Sequence, residues 1–257
     1  MQSVELSQIL KLLMLNVGFP LGVAALLHFK LGKYPKPLLL SKDRKREIWE
    51  TLVIWVIPTI TITFIIFSSF AEQMENPTLK TLITFSLITM VPYLVIPVLY
   101  LKLVKKWTLK DFGFSKPRAP AVVIFAIVFF VIGGMLPLLS SSFKPMSLML
   151  MLFALYQTAF IEEFFFRGII QGKLERALGQ NKAWLYSGIL FGLAHFFVNF
   201  FVRELDLVPG LFMLTKQIIF GWIYGIIYMK TRSLWPSMIG HFLIDGRLAS
   251  IIARIFF

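Results

Sequence analysis

The chain has 257 residues, 58% of them hydrophobic, 16% aromatic and only 15% charged, with a mean hydropathy of +0.79. Soluble globular domains carry roughly a quarter charged residues, so this composition excludes one and defines an integral membrane protein. The formal charge of +13 does not call for a nucleic-acid partner, because Lys and Arg fall mostly in short loops between apolar runs, and the absence of cysteine excludes disulfides, thiol catalysis and thiolate metal ligation.

The opening Met1-Gln-Ser-Val-Glu has no basic stretch, so no cleaved signal peptide is expected. A spanning helix needs about 20 mostly apolar residues. Runs of that kind extend from Leu10 to Phe29, Leu52 to Phe70, Leu82 to Leu103, Ala121 to Leu139, Ser147 to Ile169, Ala183 to Val202, Leu211 to Met229 and Leu234 to Phe256. The expected fold is all-α, a single polytopic membrane domain over residues 1–257 with about eight transmembrane helices. Pro58, Pro92, Pro97 and Pro137 fall inside these runs and predict kinks, since neighbouring helices can satisfy the freed carbonyls. Trp107 to Phe114 reads as a short interfacial helix or turn.

Basic residues alternate between loops: seven from Lys30 to Arg46, six from Lys102 to Arg118, four from Arg167 to Lys182, and two at Lys230 and Arg232. The intervening loops hold one each, Lys80, Lys144 and Arg203. The positive-inside rule puts the richer loops in the cytoplasm and both termini on the opposite side. A prokaryotic plasma membrane is the expected location.

Two adjacent carboxylates, Glu162 and Glu163, interrupt the fifth run, and His195, Asn199, His241 and Asp245 interrupt later ones. A charged carboxylate near the centre of a spanning helix costs roughly 2.5 to 3.5 kcal/mol even on the lower scales, so function is the default explanation. Counting 1.5 Å per residue, Glu162, His195, His241 and Asp245 fall at overlapping depths in the half of the membrane nearer the basic loops. They are expected to converge in one cavity facing the cytoplasm. Neighbours on a helix diverge by about 100°, whereas residues four apart share a face. Glu163 is therefore assigned to an ion pair with Arg167, leaving Glu162 as the carboxylate with a raised pKa suited to a general base. His195 could hold a water against it, and His241 with Asp245 could donate to a developing oxyanion.

Glu-Glu-x-x-x-Arg at Glu162, Glu163 and Arg167, Phe-x-x-x-His at Phe191 and His195, and His-x-x-x-Asp at His241 and Asp245 together resemble the CPBP intramembrane proteases. These comprise the CAAX prenyl endopeptidases and bacteriocin-processing (Abi) enzymes. The resemblance covers about Ser147 to Asp245, with Phe166-Arg-Gly168 and Asn199 as accompanying pattern. It implies an eight-helix core with the site open to the cytoplasm, and peptide hydrolysis by water that Glu162 activates with help from His195. His241 and the residue at 245 would stabilise the oxyanion. The eukaryotic CAAX enzymes carry Asn where this chain has Asp245, which can donate a hydrogen bond only when protonated. No cofactor is favoured; the alternative is Zn²⁺ held by His195, His241, Glu162 and Asp245, a donor set suited to it by ligand type.

The expected activity is thus endoproteolysis of a membrane-associated or lipid-anchored peptide substrate, with membrane lipid as the other partner. The alternative from another class is a non-catalytic protein, a peptide-binding immunity or scaffold protein or a proton-coupled transporter using the same polar residues. Other intramembrane protease chemistries find no motif within the spans: the Gly-x-Ser at Gly113 to Ser115 lies in the loop before the Ala121 to Leu139 run, and there is no His-Glu-x-x-His and no Gly-x-Gly-Asp. Bland readings are an interfacial Glu pair, a helix-bridging His195 and an interfacial His28. Phe164 to Phe166 are taken as lipid-facing or packing groups, and Gly188, Gly192, Gly221 and Gly225 as sites of close helix contact.

Overall fold

The computed structural model describes residues 13–65, 77–244 and 247–256, and every regular element among them is helical. The helices are α1 (Met14–Phe29), α2 (Arg44–Ile65), α3 (Leu79–Leu103), α4 (Pro120–Leu139), α5 (Leu148–Leu178), α6 (Gln180–Phe201), α7 (Leu207–Thr231), α8 (Trp235–Leu243) and α9 (Arg247–Phe256). Among the described residues six of these, α2 to α7, are long and apolar enough to cross a membrane, and α1 is a shorter apolar helix. The protein is an all-α polytopic membrane protein.

Each of the expected runs contains a helix, and the prolines lie inside the helices. Pro58 lies inside α2, Pro92 sits in a wide π-type turn of α3 (Val91–Val95), and Pro137 falls in the tight final turn of α4. The last run differs. Instead of one span from Leu234 to Phe256, the chain turns extended at Ile244 (φ −77°, ψ 177°), ending α8 before α9 begins. The reason is chemical: Arg247, Ser250 and Arg254 make α9 amphipathic, and it lies against the α4–α5 connection, where Ser250 Oγ accepts from Met146 N at 2.9 Å and Arg254 Nε donates to Met146 O at 2.9 Å. The Trp107–Phe114 segment is a turn, as expected, with Trp107 and Phe112 buried beneath it.

The basic loops gather at one face through paired charges. Lys173 contacts Glu47 and lies 2.8 Å from Glu50, Lys105 reaches Glu47 at 3.0 Å and Glu50 at 2.8 Å, Arg176 reaches Asp111 at 2.7 Å, and Arg232 reaches Glu175 at 2.7 Å. Lys230 Nζ donates to the carbonyls of His28, Leu31 and Gly32, at 3.1, 2.8 and 2.8 Å. These contacts bring the basic-loop ends of α1, α2, α3, α5 and α7 together. Asp111 is outside the spans. Burial pushes its carboxyl up, but the Thr108 hydroxyl and N–H and the Arg176 guanidinium more than offset this and hold it below its ordinary value.

Within the bundle, α6 and α7 approach most closely at the small residues. A Cβ added at Gly221 would stand 2.8 Å from Gly188 Cα and 2.9 Å from Gly188 O, so only glycine permits this backbone contact. On α2 and α4, by contrast, Val53, Ile57, Ile60, Ile124, Val128 and Ile132 are exposed, as expected of surfaces that meet lipid. Phe164, Phe165 and Phe166 are all buried and act as packing groups, not as lipid-facing ones.

Candidate active site

Helix α5 carries the two glutamates where two wide π-type segments, Leu155–Glu162 and Phe164–Gln171, meet around Glu163. Such widening is rare and concentrates at functional positions. The two carboxylates then part company. Glu162 lines a cavity with 19% of its side chain exposed, whereas Glu163 is wholly buried.

The assignment of Glu163 to Arg167 holds. Arg167 Nε stands 3.3 Å from Glu163 Oε2, both side chains are 0% exposed, and Arg167 Nη2 donates to Gly221 O at 3.2 Å. The guanidinium is sandwiched by rings, 4.6 Å from the Phe191 centroid and 5.3 Å from that of Tyr224. The other oxygen of Glu163 makes a contact the sequence reading missed: His241 Nδ1 lies 2.9 Å from Glu163 Oε1. The residue placed as a structural partner of Arg167 therefore also orients His241. A signal was present, since a carboxylate has two oxygens and Arg167 occupies one. His241 is stacked on Tyr224 at 4.8 Å and 20°, which fixes its ring plane.

His195 caps the α-helical part of α6, and its Nδ1 is 2.8 Å from Phe191 O. A carbonyl only accepts, so Nδ1 carries the proton and Nε2 of the neutral ring carries a lone pair. That lone pair belongs to the nitrogen 4.0 Å from Glu162 Oε2. Glu162, His195 and His241 line one cavity of about 570 Å³, together with Tyr93, Phe191 and Tyr224. The convergence expected of these three residues is therefore met. Asp245 lies outside the described residues. Asn199 is buried but donates from Nδ2 to Gln217 Oε1 at 2.7 Å, tying α6 to α7 behind the cavity wall without lining it.

One expectation is corrected. The cavity is floored by the buried Phe166, Phe191 and His241, and its wall runs out to Met146, Met213, Lys216 and the exposed Arg203. Those residues belong to the ends of α5, α6 and α7 that lie away from the paired charges of the basic face. The cavity lining therefore extends toward the side opposite the basic loops. The depth count went astray because α5 continues to Leu178, which puts Glu162 about 24 Å from that end by helical rise. The count also gave no information on which end of a buried site is plugged, and here large aromatics and the Arg167–Glu163 pair plug the basic side.

Among the described residues no three of His, Asp and Glu converge closely enough to hold a metal ion. The zinc set named from the sequence includes Asp245, which lies outside the described residues, so that set is not tested by this geometry.

The described residues thus form a polytopic helical bundle in which a carboxylate and two oriented imidazoles line one cavity. Residues 144–246 match the family model described as type II CAAX prenyl endopeptidase Rce1-like. The match covers less than half of the chain, and over that segment the chain is similar to the CAAX-type protease family. No curated protein and no solved structure matches the chain.

Proposed function

We propose that the protein is an endopeptidase that hydrolyses a peptide bond of a membrane-associated substrate with water activated by Glu162. The observation that carries this reading is the 4.0 Å approach of His195 Nε2 to Glu162 Oε2. Both are acceptors, so they do not bind each other directly. A water donating one hydrogen to each satisfies both and turns its lone pair toward the cavity. Glu162 takes the proton as the oxygen attacks the carbonyl carbon while His195 keeps the water aligned, and the protonated Glu162 then gives that proton to the amide nitrogen as the C–N bond breaks and the amine leaves. His241 donates to the oxyanion from Nε2. Its Nδ1–H is anchored on the Glu163 carboxylate, which stabilises the imidazolium as an acidic partner does for histidine in hydrolase triads. Arg167 compensates the Glu163 charge. Asp245, when protonated, adds a second donor.

No step requires a metal or other cofactor. The substrate is a peptide or lipidated protein, and membrane lipid is the only other partner. By the positive-inside rule the basic face lies in the cytoplasm, and the cavity then faces the opposite side.

The test uses purified protein in proteoliposomes with a library of membrane-anchored peptides, and products read by mass spectrometry. Cleavage that His195→Ala lowers by about 10² or more, with the fold intact, supports the proposal. Proton flux without cleavage, abolished by Glu162→Gln, would replace it with the transporter reading.

A further inference from the structure

The cavity wall is electrically lopsided. Among the described residues that line it the sole carboxylate is Glu162, while Arg203, Lys216 and Arg247 contribute three cations. Among the described residues none of the three is in an ion pair. Lys216 has only the Phe220 ring near it, with Nζ 6.0 Å from the centroid. Glu204 and Asp206 share a loop with Arg203 without pairing to it. Arg247 is 7% exposed, gives Nη1 to His241 O at 2.8 Å, and its buried Nε has no hydrogen-bond partner among the described residues. Asp245, two residues earlier, lies outside them.

Three cations lining one apolar opening repel one another and focus a positive field into it, an arrangement relieved by an anion. We infer that Arg203, Lys216 and Arg247 form a specificity-determining rim that holds a carboxylate of the peptide substrate, either an acidic side chain or the chain terminus. This rests on the proteolytic reading above. A peptide is favoured over a lipid headgroup because the cations line the same cavity as Glu162 and His195. Lys216 is eight residues from Tyr224 on α7, about 12 Å along the helix. Lys216 and Glu162 line the same cavity, so one extended peptide can reach both.

The experiment measures binding without turnover, in Glu162→Gln protein reconstituted in nanodiscs of zwitterionic lipid. The probes are fluorescent transmembrane peptides of one sequence, ending in a free carboxylate, in an amide, or in an amide with one Glu added near the end. The two acidic probes, or one of them, are expected to bind at least about 10-fold tighter than the neutral amide. Lys216→Gln with Arg203→Gln should erase that difference, so that on the double variant the acidic probes bind no tighter than the amide. Equal affinity for all three probes overturns the inference. So does a preference that survives the double substitution. Loss of the preference when anionic lipid is added to the nanodiscs assigns the rim to lipid headgroups and also overturns it. If the preference stands but wild-type protein cleaves none of the probes, the rim is upheld and the proteolytic reading is the one that fails.

Discussion

Glu163→Gln is the substitution that most sharply separates the two adjacent glutamates. It keeps the shape and one acceptor oxygen, but removes the charge that faces Arg167 Nε at 3.3 Å in a site where both side chains are 0% exposed. Breaking a buried pair from one side costs about 3 to 5 kcal/mol, because the remaining ion stays desolvated and uncompensated. The His241 Nδ1 contact at 2.9 Å changes from a charged to a neutral acceptor, which adds roughly 1 kcal/mol. In a chain of this size that corresponds to a fall in melting temperature on the order of 10 °C. Thermal unfolding in detergent or nanodiscs, followed by circular dichroism, reads it directly. Glu162→Gln in the same assay should stay within about 1 kcal/mol of wild type, since Glu162 lines an open cavity. Exchanging both partners, Glu163→Leu with Arg167→Met, should recover much of the stability but not the activity. A Glu163→Gln protein that melts like wild type, or a Glu162→Gln protein that loses just as much, would refute the division of roles.

Gly221→Ala would drive a methyl group into the backbone of Gly188, whose Cα is 2.8 Å from the added Cβ. It should cost about 1 to 3 kcal/mol and lower activity as well, because Arg167 binds the Gly221 carbonyl; unchanged melting would show that the helices slide freely. Cleavage should persist in 1,10-phenanthroline and after exhaustive dialysis against EDTA, and loss of activity restored by zinc would reinstate the metal alternative. Asp111 has its pKa depressed by Thr108 and Arg176, so it contributes stability above the ordinary carboxylate pKa and loses it as pH falls through the folded value. The melting difference between wild type and Asp111→Asn should therefore be present at pH 7 and shrink below about pH 4; a difference that grows with acid would contradict the assignment.

The helices were legible because membrane burial forces long apolar runs, and Glu163 with Arg167 was legible because residues four apart share a helical face. His241 meeting Glu163 was not, since it joins α8 to α5 across 78 residues and depends on how π-type turns rotate α5. The break at Ile244 was hidden because Arg247 and Arg254 lie seven apart in a run whose other residues are mostly apolar, so average hydropathy conceals the amphipathic face. The side toward which the cavity extends was misread for a different reason. Loop charge reports which ends of the helices share a side, but closure depends on which side chains fill the bundle, and the Phe166, Phe191 and Arg167 plug is a property of packing.

The central claim is that Glu162 is the base, and the most direct measurement is single-turnover cleavage of a membrane-anchored peptide by wild type and by Glu162→Gln in the same proteoliposomes. Removing a general base lowers the rate by about 10² to 10⁴, and the account predicts a loss of that size with melting temperature unchanged. A Glu162→Gln protein that cleaves at the wild-type rate would contradict it.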